Sequence, residues 1–158
     1  MSGLITSNEV FEYLSSNIDY SLDEIEAITK RGIEEIGWNH QVLGFSQKVR
    51  KEVKTAIVTI NCDLFHQQIV PYFQLEASFD AIISSAEYGI TSKVDLCKLA
   101  AQELIGSEKI DQALLIDDKQ NNTESFEEAG GQSLLYQGEE LFLKQVRENP
   151  LLISFASN

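Results

Sequence analysis

From Lys54 onward, short apolar runs alternate with segments of helical period, and this alternation most narrows what the chain can fold into. The apolar runs cover residues 55–59, 79–84, 113–116 and 133–136. The helical-period segments between and after them cover 63–73, 93–105, 123–129 and 139–146. Strands alternating with helices predict a parallel sheet with helices packed on it. Polar groups cluster where the runs stop: Thr59, then Lys93 opening a helix, then Asp117-Asp118. In an open parallel sheet, ligands bind just outside the carboxyl ends of the strands. A hydroxyl, an ammonium and two carboxylates gathered there suit a phosphate beside a divalent cation.

The first third reads as helices. Thr6-x-x-Glu9 and Ser21-x-x-Glu24 both have the capping-box form. Gly32 is read as the stop of the second helix. Val42, Phe45, Val49 and Val53 recur at helical spacing and predict a third helix. Trp38, between the second and third, reads as a packing anchor. Ser92-x-x-Asp95 and Gly106 mark the start and stop of the helix that carries Lys93. Pro71 marks a bend or an end in the helix before it.

Bulk properties exclude several classes. At 158 residues and 43% hydrophobic content the chain supports one domain with a real core. No apolar run approaches the ~20 residues that span a bilayer. The start, Met1-Ser-Gly-Leu-Ile-Thr, has no basic region and does not read as a signal peptide. Cys62 and Cys97 lack metal or redox spacing and read as free thiols of a reducing cytosol, so a cytoplasmic protein is expected. A formal net charge of −13 argues against nucleic acid and against anionic membrane surfaces as partners. It leaves room for a phosphorylated small molecule if a lysine and a metal offset the field locally.

Each site residue has a plain structural reading beside the functional one. Thr59 either donates its hydroxyl to a phosphoryl oxygen or simply ends a strand. Lys93 sits at a helix N-terminus, where the macrodipole disfavours a cation. It is either a surface lysine or an ammonium held by a carboxylate or phosphate. Asp117-Asp118 would repel each other at a strand end, and Mg²⁺ relieves such repulsion through hard oxygen ligands. The alternative is a polar turn that caps the next helix. Asn122 would hold a loop or a metal-bound water. Asn61 and Asp63 read as caps of the following helix, with Asn61 also placed to touch a ligand. Ser84 and Ser85 would support the site from behind. His40 and His66 read as helix-surface residues, and Gly130-Gly131 as a turn.

The ordered set Thr59, Lys93, Asp117-Asp118 resembles the haloacid dehalogenase-like (HAD) superfamily. Ile57-Val-Thr-Ile-Asn-Cys-Asp-Leu-Phe is similar to the second family motif. Phe79-Asp-Ala-Ile-Ile-Ser-Ser-Ala-Glu-Tyr-Gly, running on to Lys93, is similar to the third. Leu115-Ile-Asp-Asp-x-x-x-Asn followed by Gly130-Gly131 is similar to the fourth. The resemblance implies a Rossmann-like parallel sheet flanked by helices, with a HAD-like core over residues 54–150, a reduced helical cap over 1–53 and a tail over 151–158. It also implies Mg²⁺-dependent phosphate monoester hydrolysis. Thr59 and Lys93 would be catalytic, Thr59, Asn61 and Lys93 would bind phosphate, and Asp118 with Asp117 would hold the metal. A dehalogenase would not need the metal, so the paired acids favour phosphate.

The chain departs from the family pattern in two places. Lys93-Val94-Asp95 stands where the family has Lys-Pro-Asp. At the front, Gly3-Leu4-Ile5-Thr6 resembles the end of the first motif, so the strand carrying the nucleophilic aspartate is expected to be missing and the chain to be inactive as written. Strands that flank that position would face a gap one strand wide and must pair directly, bind water or recruit another chain, including a homo-oligomer through the open sheet. A non-catalytic binding domain, a truncated gene product and a misassigned start are the alternatives.

Overall fold

The computed structural model describes residues 5–37, 39–150 and 152. Trp38, Gly3-Leu4 and the rest of the tail lie outside the described residues. Helices α1 (Ser7–Asn17) and α2 (Leu22–Glu34) open with the two expected capping boxes. In each, the Thr6 or Ser21 hydroxyl accepts from the N–H three residues on, and Glu9 or Glu24 accepts from the cap N–H in return. α2 runs through Gly32 instead of stopping there. Ile33 is buried in the next position. Burying such a side chain contributes about 1.5–3 kcal/mol, against roughly 1 kcal/mol lost to an interior glycine.

α3 (His40–Val49) is capped by Asn39, whose side-chain oxygen accepts from the Val42 N–H. Its Phe45 and Val49 pack with Phe142, Val146 and Leu152. Phe45 and Phe142 meet edge to face at 5.5 Å, a favourable aromatic geometry.

Strand β1 (Ala56–Thr59) lies parallel to β2 (Ala81–Ser84), with Ala56 opposite Ala81 and Thr59 opposite Ser84. The helix expected over 63–73 is present as one helical run that changes pitch, and a short extra helix follows it. A π-helical segment (Phe65–Ile69) runs into α4 (Val70–Tyr72), and α5 (Leu75–Ser78) follows. Pro71 has no N–H to give the carbonyl four residues back, so the regular ladder cannot pass through it. α6 (Ser85–Tyr88) follows β2. α7 (Lys93–Ile105) begins at the Ser92 cap and ends at Gly106 with φ 69, as its signals predict. β3 (Leu114–Asp117) is parallel to β4 (Gln132–Leu135), with α8 (Gln120–Glu128) between them and α9 (Glu139–Glu148) after. α8 starts at Gln120, ahead of the Thr123 that periodicity marked.

The strands form two separate two-stranded sheets, β1–β2 and β3–β4. Among the described residues no strand lies between β1 and β3, and their Cα atoms stay beyond 8 Å of each other almost throughout. α7 joins the halves. Its Leu96 and Ala100 pack with Ile83 against Val58 and Ala56. Its Cys97, with Ile110 and Phe126, packs against Val58 and Leu115. Among the described residues no helix is long and apolar enough to cross a membrane.

Candidate active site

The site is built around one ammonium. Lys93 is the first residue of α7, where the helix dipole opposes a positive charge. Two acceptors answer that opposition. Lys93 Nζ donates to the Val58 carbonyl oxygen at 2.7 Å and pairs with Asp117 Oδ2 at 3.0 Å. The lysine side chain is 12% exposed and the aspartate 8%, so this is a largely enclosed ion pair rather than a surface contact. Val58 belongs to β1 and Asp117 ends β3. The ammonium therefore ties the carboxyl ends of two strands that do not pair with each other.

Asp117 is saturated. Its Oδ1 accepts from Asn122 Nδ2 and from the Lys119 N–H, both at 2.9 Å. Burial pushes the carboxyl pKa up, but the Asn122 amide, the Lys119 N–H and Lys93 outweigh it and hold the group below its ordinary value. Asn122, read from sequence as holding a loop or a metal-bound water, holds the aspartate instead. One turn along α7, the Cys97 thiol is pushed up to about 11, chiefly by burial, with Lys93 pulling it down and Asp117 pushing it up.

Two groups at the same strand ends remain uncommitted. Thr59, half-buried at the end of β1, has no hydrogen-bond partner for its hydroxyl among the described residues. Asp118 is exposed and has no ion-pair or hydrogen-bond partner among them. A single free carboxylate fits one ligand position of Mg²⁺, which takes one or two carboxylates and fills its octahedron with phosphate and water. Among the described residues no three His, Cys, Asp or Glu side chains converge on one point.

The loop after β1 is fixed from two sides. Ser85 Oγ donates to the Asn61 carbonyl and accepts from the Asn61 N–H, each at 2.9 Å, and Ser85 is fully buried. The Asn61 side-chain oxygen accepts from the Cys62 N–H, and among the described residues Asn61 has no hydrogen bond to Lys93 or Asp117. Asp63 does not cap the following helix with its carboxylate. It accepts from the Ser7 N–H at 2.8 Å and the Ser7 hydroxyl at 3.0 Å, pinning the start of α1 to the loop beyond β1. His66 is not a plain surface residue either. Its Nε2 lies 2.8 Å from the buried Ser84 Oγ and 3.7 Å from Glu87.

Sequence reading missed the Val58 carbonyl, the Ser7–Asp63 link and the Ser85–Asn61 clamp. The first is main chain and carries no residue signature. The others join positions far apart in sequence. A surface hollow of about 560 Å³ between α2 and the π-helical segment is lined by Asp23, Lys30, Gln67 and Tyr72 and includes none of the site residues.

The sequence matches no protein-family model and no curated protein. Among solved structures it is similar to a HAD family enzyme from Bacteroides thetaiotaomicron, with a TM-score of 0.70 and 19% identity. The likeness covers 89% of this chain and 77% of that one. That enzyme was crystallised as an aspartate-to-alanine variant in complex with magnesium and inorganic phosphate. The likeness establishes the HAD-like α/β fold.

Proposed function

Starting from this HAD-like fold, we propose that the chain holds a phosphoryl group beside Mg²⁺ in a phosphatase-type site, and that these 158 residues alone hydrolyse phosphate monoesters very slowly or not at all. The observation that carries the reading is the enclosed Lys93–Asp117 pair at the carboxyl ends of β1 and β3.

The roles follow from which groups are committed. A lysine ammonium has three donors. Two are engaged by Val58 and Asp117, leaving one for a phosphoryl oxygen. Thr59 donates a second hydrogen bond. Asp117 positions Lys93 and stays ionised doing so. Asp118 is the metal ligand, a narrower assignment than the Asp117–Asp118 pair read from sequence. Bound Mg²⁺ supplies charge neutralisation for the phosphoryl oxygens. Asn61 contributes through its clamped backbone. Residues 54–150 act as the core and 1–53 as a reduced cap that selects the ligand.

The slow turnover follows from the same inventory. Covalent phosphoryl transfer through an acyl phosphate needs a carboxylate free to attack. Among the described residues at these strand ends, Asp117 is saturated by donors and Asp118 is assigned to the metal. The second reading, a non-catalytic binding domain, draws on the absence, among the described residues, of a ladder between β1 and β3.

The test is a titration of inorganic phosphate followed by ³¹P NMR. Binding should require Mg²⁺ and weaken about 10–100-fold in Lys93→Met and in Asp118→Asn, the loss of one charge-assisted contact each. Phosphate binding indifferent to Mg²⁺ and to both substitutions would remove the proposal's basis.

A further inference from the structure

One polar constellation stands apart from the Lys93–Asp117 pair: His66, Ser84 and Glu87. It begins with a change of helix pitch. The Val70 N–H donates to the Phe65 carbonyl five residues back, the bond of a π turn. In an α-helix, residues five apart point about 140° away from each other. The wider turn lets Phe65 and Val70 share one buried cluster with Leu75. His66, next after Phe65, is left facing the end of β2. Its ring stands edge-on to the Phe65 ring at 5.7 Å, which restricts its rotation. Its Nε2 lies 2.8 Å from Ser84 Oγ, whereas Glu87 is 3.7 Å away, so the hydroxyl is the closer partner.

Ser84 is where this contact reaches the site. It ends β2 directly opposite Thr59 and is fully buried. Its Oγ also caps α6, accepting from the Glu87 N–H at 3.4 Å. That bond is long, and a four-residue helix has too few internal bonds to hold itself. Tyr88 ties the far end of α6 to Glu103 of α7, which leaves the near end to Ser84. The first residue of α6 is Ser85, whose Oγ bonds both the N–H and the carbonyl of Asn61. Asn61 lies two residues beyond Thr59, so a shift at Ser84 carries through Ser85 to the chain leaving β1.

We propose that His66 is a positioning residue for the phosphate site: it holds the Ser84 hydroxyl, and through Ser85 it fixes the Asn61 backbone and the exit of the chain from Thr59. The consequence for phosphate rests on the proposed function, whereas the hold on Asn61 does not.

The test compares two amides of different reach in the full chain. In His66→Gln the side-chain nitrogen stands as many bonds from the backbone as Nε2 does, whereas in His66→Asn the same chemistry stops one bond short. Exchange of the Asn61 amide, read by NMR, should rise at least about 10-fold in His66→Asn and stay within about 3-fold of the parent in His66→Gln, while Leu96 and Leu115 keep their rates. Inorganic phosphate with Mg²⁺, followed by ³¹P NMR, should bind about 5–10-fold more weakly to His66→Asn and as in the parent to His66→Gln. Ser84→Ala should shift the ring-nitrogen resonances of His66 and leave those of His40 in place. The glutamine and Ser84→Ala arms stand even if His66→Asn does not fold. Unchanged Asn61 exchange in His66→Asn, raised exchange in His66→Gln, a uniform rise that includes Leu96 and Leu115, or His66 resonances indifferent to Ser84→Ala would overturn the proposal. A parent chain that binds no phosphate sinks the phosphate reading, and Asn61 exchange still decides what His66 holds. Phosphate bound equally by the parent and by His66→Asn sinks the positioning role alone.

Discussion

At the scale of single residues, Lys93 shows how a site overrides a local preference. Helix electrostatics alone would place a carboxylate, not an ammonium, at the first position of α7. The Val58 carbonyl and the Asp117 carboxylate reverse that preference because both lie within hydrogen-bond reach and are shielded from water. The same pair makes a stability prediction. The folded carboxyl of Asp117 lies below its unfolded value of about 3.9. Its contribution is therefore complete above that value and is lost as pH falls through it toward the folded pKa. Denaturant midpoints measured from pH 6 down to about pH 3 should fall more steeply for the parent chain than for Asp117→Asn, which should itself be destabilised by about 2–3 kcal/mol at neutral pH because Lys93 is left enclosed without its partner. Parallel profiles for the two proteins would contradict the role given to Asp117. The cysteines make a second residue-scale test. At pH 8 iodoacetamide should alkylate half-buried Cys62 and spare Cys97, which is buried and pushed up to about 11. Mass spectrometry of the intact chain reads the outcome directly.

At the scale of elements, the ends of helices were legible because their chemistry is local. Ser92 and Gly106 bracket α7, and the two capping boxes start α1 and α2, as short-range signals require. Gly32 was misread as a stop because Ile33 burial acts through packing that spacing does not report, whereas the 63–73 helix was legible and only its π-helical turn ahead of Pro71 was not. Gly131 carries an element-scale prediction. A Cβ built there would lie 2.2 Å from the ring of Phe126, which is 1% exposed and fills the floor between α7 and β3. Gly131→Ala should lower stability by about 1–3 kcal/mol through overpacking, measured as a shift in urea midpoint. Ser92→Ala should remove about 1 kcal/mol of cap stabilisation and loosen the turn that carries Lys93. The strands predict a pattern in hydrogen exchange: amides of Ile57 and Leu115, turned toward their paired strands, should be protected, and those of Val58 and Ile116 should exchange faster.

At the scale of the molecule, the parallel α/β class, the strand order in sequence and the convergence of Lys93 with Asp117 could be read before any coordinates. Apolar runs ending in polar groups have few other ways to fold, and the residues concerned each sit at the boundary of an element. What could not be read was how the site groups share their hydrogen bonds. Asp117 and Asp118 are adjacent in sequence, yet one is saturated by Lys93, Asn122 and Lys119 while the other stands exposed. On the proposed reading that division separates positioning from metal binding, and among the described residues at these strand ends it leaves no carboxylate over for attack. The most direct measurement is steady-state hydrolysis of a generic aryl phosphate by the purified 158-residue chain with and without Mg²⁺, in parallel with Asp118→Ala. The account predicts no turnover above buffer in any of these samples, alongside Mg²⁺-dependent phosphate binding by the parent chain. Sustained Mg²⁺-dependent turnover that disappears in Asp118→Ala would contradict it, since these residues would then complete the hydrolysis that the account denies them.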